Sequence, residues 1–167
     1  AQFICFNNRD KAYLNQHNQQ RNWSYHDHRD SNIDNCILAA KYFQDKGYYC
    51  IRMGHTVEKP LETGNSRIIE YASNFRSDFG DIYLAAKCKF WFGSASGIIC
   101  VSSMFNVPTV WVNVIPFGGV VPYNKGDIYI PKKLWYKPEK RFLTYRELYN
   151  SKSARWGHFS KNYEVLE

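Results

Sequence analysis

Four places in this chain carry residues that could bind or move charge, and each stands at the end of an apolar run. Arg9 and Asp10 follow Gln2-Phe3-Ile4-Cys5-Phe6. Arg52, Gly54 and His55 end or follow Tyr48-Tyr49-Cys50-Ile51. Ser94-Ala95-Ser96-Gly97 follows Lys89-Phe90-Trp91-Phe92-Gly93, and Asn113 follows Thr109-Val110-Trp111-Val112. One or two guanidinium groups, small hydroxyls and the start of a helix together suit a phosphate or diphosphate. Gly93 and Gly97 are expected to let a large anion approach the backbone. Two of these groups also have a plainer reading. Arg9 and Asp10 can form a surface pair. Arg52, inside an apolar strand, either snorkels to the edge or pairs with a buried anion.

The elements that must position these groups follow from pattern. Gln2–Phe6 reads as a strand. Residues 11–30 are polar and without periodicity, which predicts a long loop. Ser31 or Asn32 caps a helix whose Ile33, Cys36, Ile37, Ala40 and Phe43 share one face, and Gly47 ends it. Residues 48–54 and 67–71 read as strands two and three. A short helix over 81–86 is capped by Ser77 or Asp78. Strand 89–93, the Gly/Ser turn, a helix over Gly97–Phe105 and strand 107–113 make a βαβ unit. That helix is apolar nearly all round and is expected to be deeply buried. The alternation predicts an α/β fold, a Rossmann-like parallel sheet with helices on both faces. In such a sheet the ends of the strands line one rim, where ligands bind. Past Val121 the rhythm changes: residues 127–131 are extended, Thr144 caps a helix over Tyr145–Tyr149, and 151–167 are a mixed tail. The expected organisation is one domain over 1–167, with about 122–167 as a C-terminal extension packed on it.

Composition narrows the function classes. At 167 residues, 44% hydrophobic, the chain is one ordinary domain with enough apolar side chain for a core. The net charge of +7 is spread out except at Lys132-Lys133 to Lys140-Arg141, where Trp135 and Tyr136 interleave. No readable DNA or RNA module accompanies that segment, so nucleic acid is not an expected partner. His17, His26, Asp27 and His28 could ligate metal, but His26 and His28 are two apart, which suits neither a helical pair nor a zinc finger. No metal and no cofactor are expected. Cys5, Cys36, Cys50, Cys88 and Cys100 form no C-x-x-C pair and read as reduced core residues of a cytoplasmic protein. No apolar run is long enough to cross a membrane. The chain opens directly on a strand with no initiator Met, which suggests an excised segment with a partner half elsewhere.

The Gly/Ser turn lacks the Gly-Lys-Ser/Thr of a P-loop and does not match G-x-G-x-x-G, which disfavours ATP hydrolysis and NAD binding of the usual kinds. The set Arg9–Leu14, His28–Ile33, Gly47–Gly54, Arg76–Phe79 and Phe92–Gly97 resembles a family of bacterial glycosyltransferases of surface-polysaccharide gene clusters. The resemblance runs over roughly residues 3–150. That family is similar to the donor-binding, C-terminal half of two-domain GT-B glycosyltransferases, and more distantly to the fucosyltransferases. The resemblance implies transfer of a sugar from a nucleotide-sugar to a glycan or lipid-linked acceptor, without metal. The absence of a D-x-D motif fits that. Carried over, Arg9 would contact the donor diphosphate, Ser94, Ala95, Ser96 and Gly97 would cradle it, and Asp78 would lie near the nucleoside; their place at a strand end adds Arg52 to the expected diphosphate set and Gly54 and His55 to the nucleoside set. Where the fucosyltransferases have His-x-Arg, this chain has Asn7-Asn8-Arg9. Asp10, Asp30 and Glu58 are candidate bases for the acceptor hydroxyl. The base can equally come from a missing N-terminal domain of the same protein, which the resemblance makes an expected partner. A lipid-linked acceptor would bring the domain to the inner face of the membrane as a peripheral protein. Two other readings stay open: a non-catalytic nucleotide- or phosphate-binding α/β domain, and a basic nucleic-acid-associated domain.

Overall fold

A computed structural model describes all residues except 18, 19, 21, 119–123 and 152–160. Six parallel strands form the main sheet: β1 (Phe3–Asn7), β2 (Tyr49–Arg52), β3 (Ile68–Glu70), β4 (Trp91–Gly93), β5 (Thr109–Val114) and β6 (Ile128–Pro131). Their spatial order is β3-β2-β1-β4-β5-β6. This is the doubly wound order, which reverses direction between β1 and β4.

Each central strand is apolar on both faces because both faces are covered. On one face Ile4, Phe6, Cys50, Ile68 and Phe92 meet Ala40 of helix α2 (Ile37–Asp45). On the other, Cys5, Ile51, Met53, Trp91 and Trp111 meet Tyr71 of α3 (Tyr71–Asn74), Ala85 of α4 (Asp78–Lys87) and Ile99 of α5 (Gly97–Met104). Burying each of the larger side chains contributes about 1.5–3 kcal/mol. Gly47, at φ 90°, stops α2 in the left-handed conformation that glycine adopts without strain. The Ser77 hydroxyl accepts from the Gly80 N–H and caps α4, so Asp78 is the first residue inside that helix and not its cap. All five cysteines are free thiols. Burial pushes the Cys36 and Cys50 thiols up to about 11. Among the described residues no helix is long and apolar enough to cross a membrane.

Several expectations change. The polar stretch 11–30 is not one loop. It holds α1 (Ala12–His17) and a 3-10 turn over Ser24–Arg29, and a second 3-10 turn, Ile33–Cys36, leads into α2. Neither α1 nor the Ser24–Arg29 turn has a buried residue, so neither leaves a hydrophobic period to read. Instead α1 is started by the Asp10 carboxylate, which accepts from the Ala12 N–H at 3.0 Å. Helix α5 buries Ile99, Ser102 and Ser103, while Met104 is 80% exposed and Phe105 53%, so its C-terminal end is not deep. Ser102 spends its hydroxyl on the Ala85 carbonyl of α4 at 3.0 Å, a close helix–helix contact.

The C-terminal part is not a simple extension from residue 122, because β6 pairs in parallel with β5 and completes the main sheet. Asn113, at φ 55°, sits at an irregularity in that pairing between Trp111 and Val114. It bends a strand, a place where asparagine tolerates a positive φ. After β6 a small antiparallel sheet forms from β7 (Lys133–Tyr136), β8 (Arg141–Phe142) and β9 (Tyr163–Leu166), in the order β8-β7-β9. Helix α6 (Tyr145–Asn150) starts with a full capping box between Thr144 and Glu147. Leu134, Leu148 and Ile115 form the apolar cluster that fastens this unit. Of the expected tail over 151–167, Tyr163–Leu166 form β9, while 152–160 lie outside the described residues, as does Gly119 of the loop after β5.

Candidate functional site

The reversal between β1 and β4 puts their carboxyl ends side by side, with Asn7 paired to Gly93 in register. A crevice opens where neighbouring strands send their chains to opposite faces of the sheet. Here the Asn8-Arg9-Asp10 exit from β1 meets the Ser94–Gly97 turn from β4.

Asn7 holds this junction. Its side-chain oxygen accepts from the indole of Trp91 at 2.7 Å. Its amide nitrogen donates to the Ser96 hydroxyl at 2.9 Å and to the Ser94 carbonyl at 3.4 Å. A Cβ on Gly93 would lie 2.2 Å from that side-chain oxygen and 2.5 Å from the Asn7 carbonyl oxygen. Gly93 is therefore small to make room for Asn7, not for an anion. Gly97 differs: it is exposed, and nothing stands within 4 Å of where its Cβ would be. Ser96 makes no side-chain cap for α5, so the first N–H groups of that helix have no side-chain acceptor from it.

The four residues of the turn are not equivalent. Ser94 and Ala95 are buried and already used. The Ser94 hydroxyl accepts from the Arg9 backbone N–H, and the Ala95 carbonyl accepts from Arg29 Nη2 at 3.2 Å. Ser96 and Gly97 form the part that reaches the surface.

Arg9 pairs with Asp30 rather than with its neighbour Asp10, and its Nη1 also donates to the His26 carbonyl at 3.4 Å. Burial pushes the Asp30 carboxyl up, and Arg9 opposes that push. Lys132 donates to the Asp30 backbone carbonyl from the end of β6. A carboxylate held nearer to neutrality is the better proton acceptor. Asp10 is a clamp: one oxygen takes the Ala12 N–H and the other the Glu58 N–H at 3.1 Å. Asp10, Asp30 and Glu58 share one cleft of about 470 Å³ with Asn8, Asn32 and Glu167, so the three candidate bases do come together.

Arg52 is 1% exposed, and its guanidinium goes to Glu70 on the adjacent strand at 3.1 and 3.3 Å. Glu70 also accepts from the Leu61 N–H at 2.6 Å and the Ser73 N–H at 3.2 Å. The buried anion that Arg52 pairs with is thus Glu70. A ligand diphosphate finds this guanidinium enclosed, against the expectation that Arg52 helps to hold one. It acts on the rim only through Nη2, 3.4 Å from the Asn8 side-chain oxygen.

The expected nucleoside residues are spread out. Gly54 is tight against Val57 and Ala72, where a Cβ would come within 2.9 and 3.4 Å. His55 leaves β2 towards α1, and its ring lies 5.4 Å from Tyr13 and 5.3 Å from His17. Asp78 is bonded to Arg76 at 2.6 Å with its side chain 93% exposed. The basic, aromatic segment is also internally committed. Lys132 is buried, Arg141 bonds Glu139 and Glu147, and Trp135 packs edge-on against Phe142.

Sequence reasoning missed Asn7, Arg29 and Lys132. The signal for Asn7 was a polar residue closing an all-apolar strand. Arg29 and Lys132 had none, since their partners are 66 and 102 residues away. Among the described residues no group of three or more His, Cys, Asp or Glu side chains could hold a metal ion. No family model, no curated protein and no solved structure matches the chain. The fold and rim define a doubly wound α/β domain with a polar crevice at its switch point.

Proposed function

We propose that this chain is the nucleotide-sugar-binding half of a GT-B-type glycosyltransferase, with the donor diphosphate at the β1–β4 rim. The observation that carries the reading is the bond of the Arg9 backbone N–H to Ser94, which opens the turn into the uncapped start of α5, at the point where strand order reverses. In this reading Arg9 and the α5 N–H groups stabilise the charge that builds on the leaving diphosphate, an electrostatic contribution made largest in the transition state. Asp30 is favoured over Asp10 and Glu58 as acceptor of the hydroxyl proton. Burial raises its carboxyl, whereas Asp10 is spent on two backbone N–H groups. A glycan or lipid-linked acceptor, a second domain of the same protein and a place at the membrane surface belong to the same proposal.

The reading predicts that UDP, GDP, ADP or CMP raises the melting temperature. Saturation at a hundred times Kd would add about 2.7 kcal/mol, or roughly 5–10 °C for a domain of this size. Arg9→Ala should abolish most of that shift. If all four nucleotides leave the melting temperature unmoved, the donor reading fails. A non-catalytic nucleotide-binding domain rests on the same rim. It separates from the enzyme by nucleotide-sugar hydrolysis, measured in the full-length protein and lost on Arg9→Ala if the chain is a transferase.

A further inference from the structure

Two arginines from separate segments touch the same four-residue turn. Arg9 arrives from the end of β1 and gives its backbone N–H to the Ser94 hydroxyl. Arg29 arrives from the end of the Ser24–Arg29 turn and gives a guanidinium N–H to the Ala95 carbonyl. That contact uses one of the five N–H donors that an arginine carries. The Arg9 guanidinium reaches the segment that carries Arg29: its Nη1 donates to the His26 carbonyl in the Ser24–Arg29 turn and pairs with Asp30, the residue after Arg29. The Arg29 guanidinium is held below its usual range, first by burial and then by the charge of Arg9. Two half-buried like charges disfavour each other, and an anion between them relieves that cost through charge-assisted hydrogen bonds.

One anion is already present. The Asp30 carboxylate bonds Arg9, yet its charge is poorly favoured there. Burial opposes it, and so do Asp27 and Asp10, while Arg9 and Lys132 support it. Its hold is a single ion pair to Nη1, with side chains 12% and 23% exposed. A ligand with more negative charge and more oxygens than one carboxylate can replace it on Arg9.

We propose that Arg29 and Arg9 form a two-guanidinium site for a diphosphate, and that Asp30 is the resident counter-ion which the diphosphate displaces from Arg9. This site takes over the diphosphate part of the donor reading but asks only for the anion. Arg29 thereby supplies the second guanidinium that Arg52, locked on Glu70, cannot offer. The exchange also frees the Asp30 carboxylate at the moment the diphosphate is bound.

The test is titration calorimetry of the protein with inorganic pyrophosphate and, separately, with UDP and GDP. Arg29→Gln should weaken pyrophosphate binding about tenfold to a hundredfold, the value of a charge-assisted hydrogen bond to phosphate. Arg29→Lys, which keeps the charge and loses the fork, should fall between. Asp30→Asn should strengthen binding about three- to fivefold, since removing the charge of this partly exposed ion-pair partner leaves Arg9 open. A structural brace would lose stability on mutation but would never give that gain. Melting curves show whether each variant is folded, and the Asp30→Asn gain stands as evidence even if Arg29→Gln unfolds. Pyrophosphate affinity equal to wild type in folded Arg29→Gln, or weaker binding in Asp30→Asn, overturns the inference. So does wild-type protein that ignores pyrophosphate. If UDP and GDP bind but Arg29→Gln changes nothing, this inference fails and the donor reading survives. If pyrophosphate binds through Arg29 while no nucleotide binds better than pyrophosphate, the donor reading fails and the anion site survives.

Discussion

Replacing Gly93 with alanine tests the junction on which the rim depends. The added Cβ would lie 2.2 Å from the Asn7 side-chain oxygen and 2.5 Å from the Asn7 carbonyl oxygen. Neither can yield easily. The carbonyl belongs to β1, and the side chain is fixed by the Trp91 indole at 2.7 Å and by its own bond to Ser96 at 2.9 Å. Moving the strand is an overpacking cost of about 1–3 kcal/mol. Moving the side chain strands the buried indole N–H, at about 1–3 kcal/mol. Together these predict a loss of about 2–6 kcal/mol, or roughly 4–24 °C in melting temperature for a domain of this size. Gly97→Ala is the contrast. Its Cβ enters open space at the first residue of α5, so the change should be neutral or stabilise by about 0.4–1 kcal/mol. Urea unfolding of both variants measures the difference. A Gly93→Ala loss below about 1 kcal/mol, or equal losses at both positions, would refute the argument that Gly93 is small for the sake of Asn7.

Two further outcomes follow from buried charge. Glu70→Gln leaves Arg52 buried without its counter-charge and should cost about 3–5 kcal/mol in urea unfolding, whereas the paired replacement Arg52→Met with Glu70→Leu should recover much of that loss. His28 is lowered from 6.5 to about 4, by burial first and then by the charges of Arg29 and His26. A histidine whose folded pKa is depressed is stabilised in its neutral form. That stability is fully present above about pH 6.5 and is lost as pH falls towards 4. The ring is only half-buried, so solvent screening reduces the effect to about 1–2 kcal/mol. The stability gap between wild type and His28→Gln should shrink between pH 7.5 and 5. A gap that stays constant would contradict the burial argument.

Much of the α/β scaffold was legible because burial leaves a period. The apolar face over 33–43, the Ser77 and Thr144 caps and the βαβ unit around Ser94 are local patterns that the structure keeps, although 33–36 is a 3-10 turn and α2 begins only at Ile37. The polar α1 and the Ser24–Arg29 turn bury nothing and left no trace. The exposed end of α5 shows the converse limit, since apolar residues such as Met104 mark where burial is possible and not where it happens. The convergence of Arg9 and the Ser94–Gly97 turn was expected from strand ends alone, because parallel strands share one rim.

What each charged group does there was decided by tertiary structure. Residue type made Arg52 and Arg9 alike candidates for the diphosphate, and Asp10 a candidate base or partner of Arg9. Only the pairing of β2 with β3 gave Arg52 to Glu70, and only the fold gave Arg9 to Asp30 and left Asp10 to backbone N–H groups. The same holds for Gly93, whose need to be glycine comes from Asn7 on the neighbouring strand. The amino-acid sequence by itself determined which strands are apolar, the caps at Ser77 and Thr144, and that polar groups end the strands. Those are short-range consequences of periodicity and capping. The strand order, the sixth strand and the partner of every buried charge came from contacts between distant segments, as with Asn7 and Trp91, 84 residues apart. Periodicity tells a side chain to leave water, but it does not say which group will meet it there.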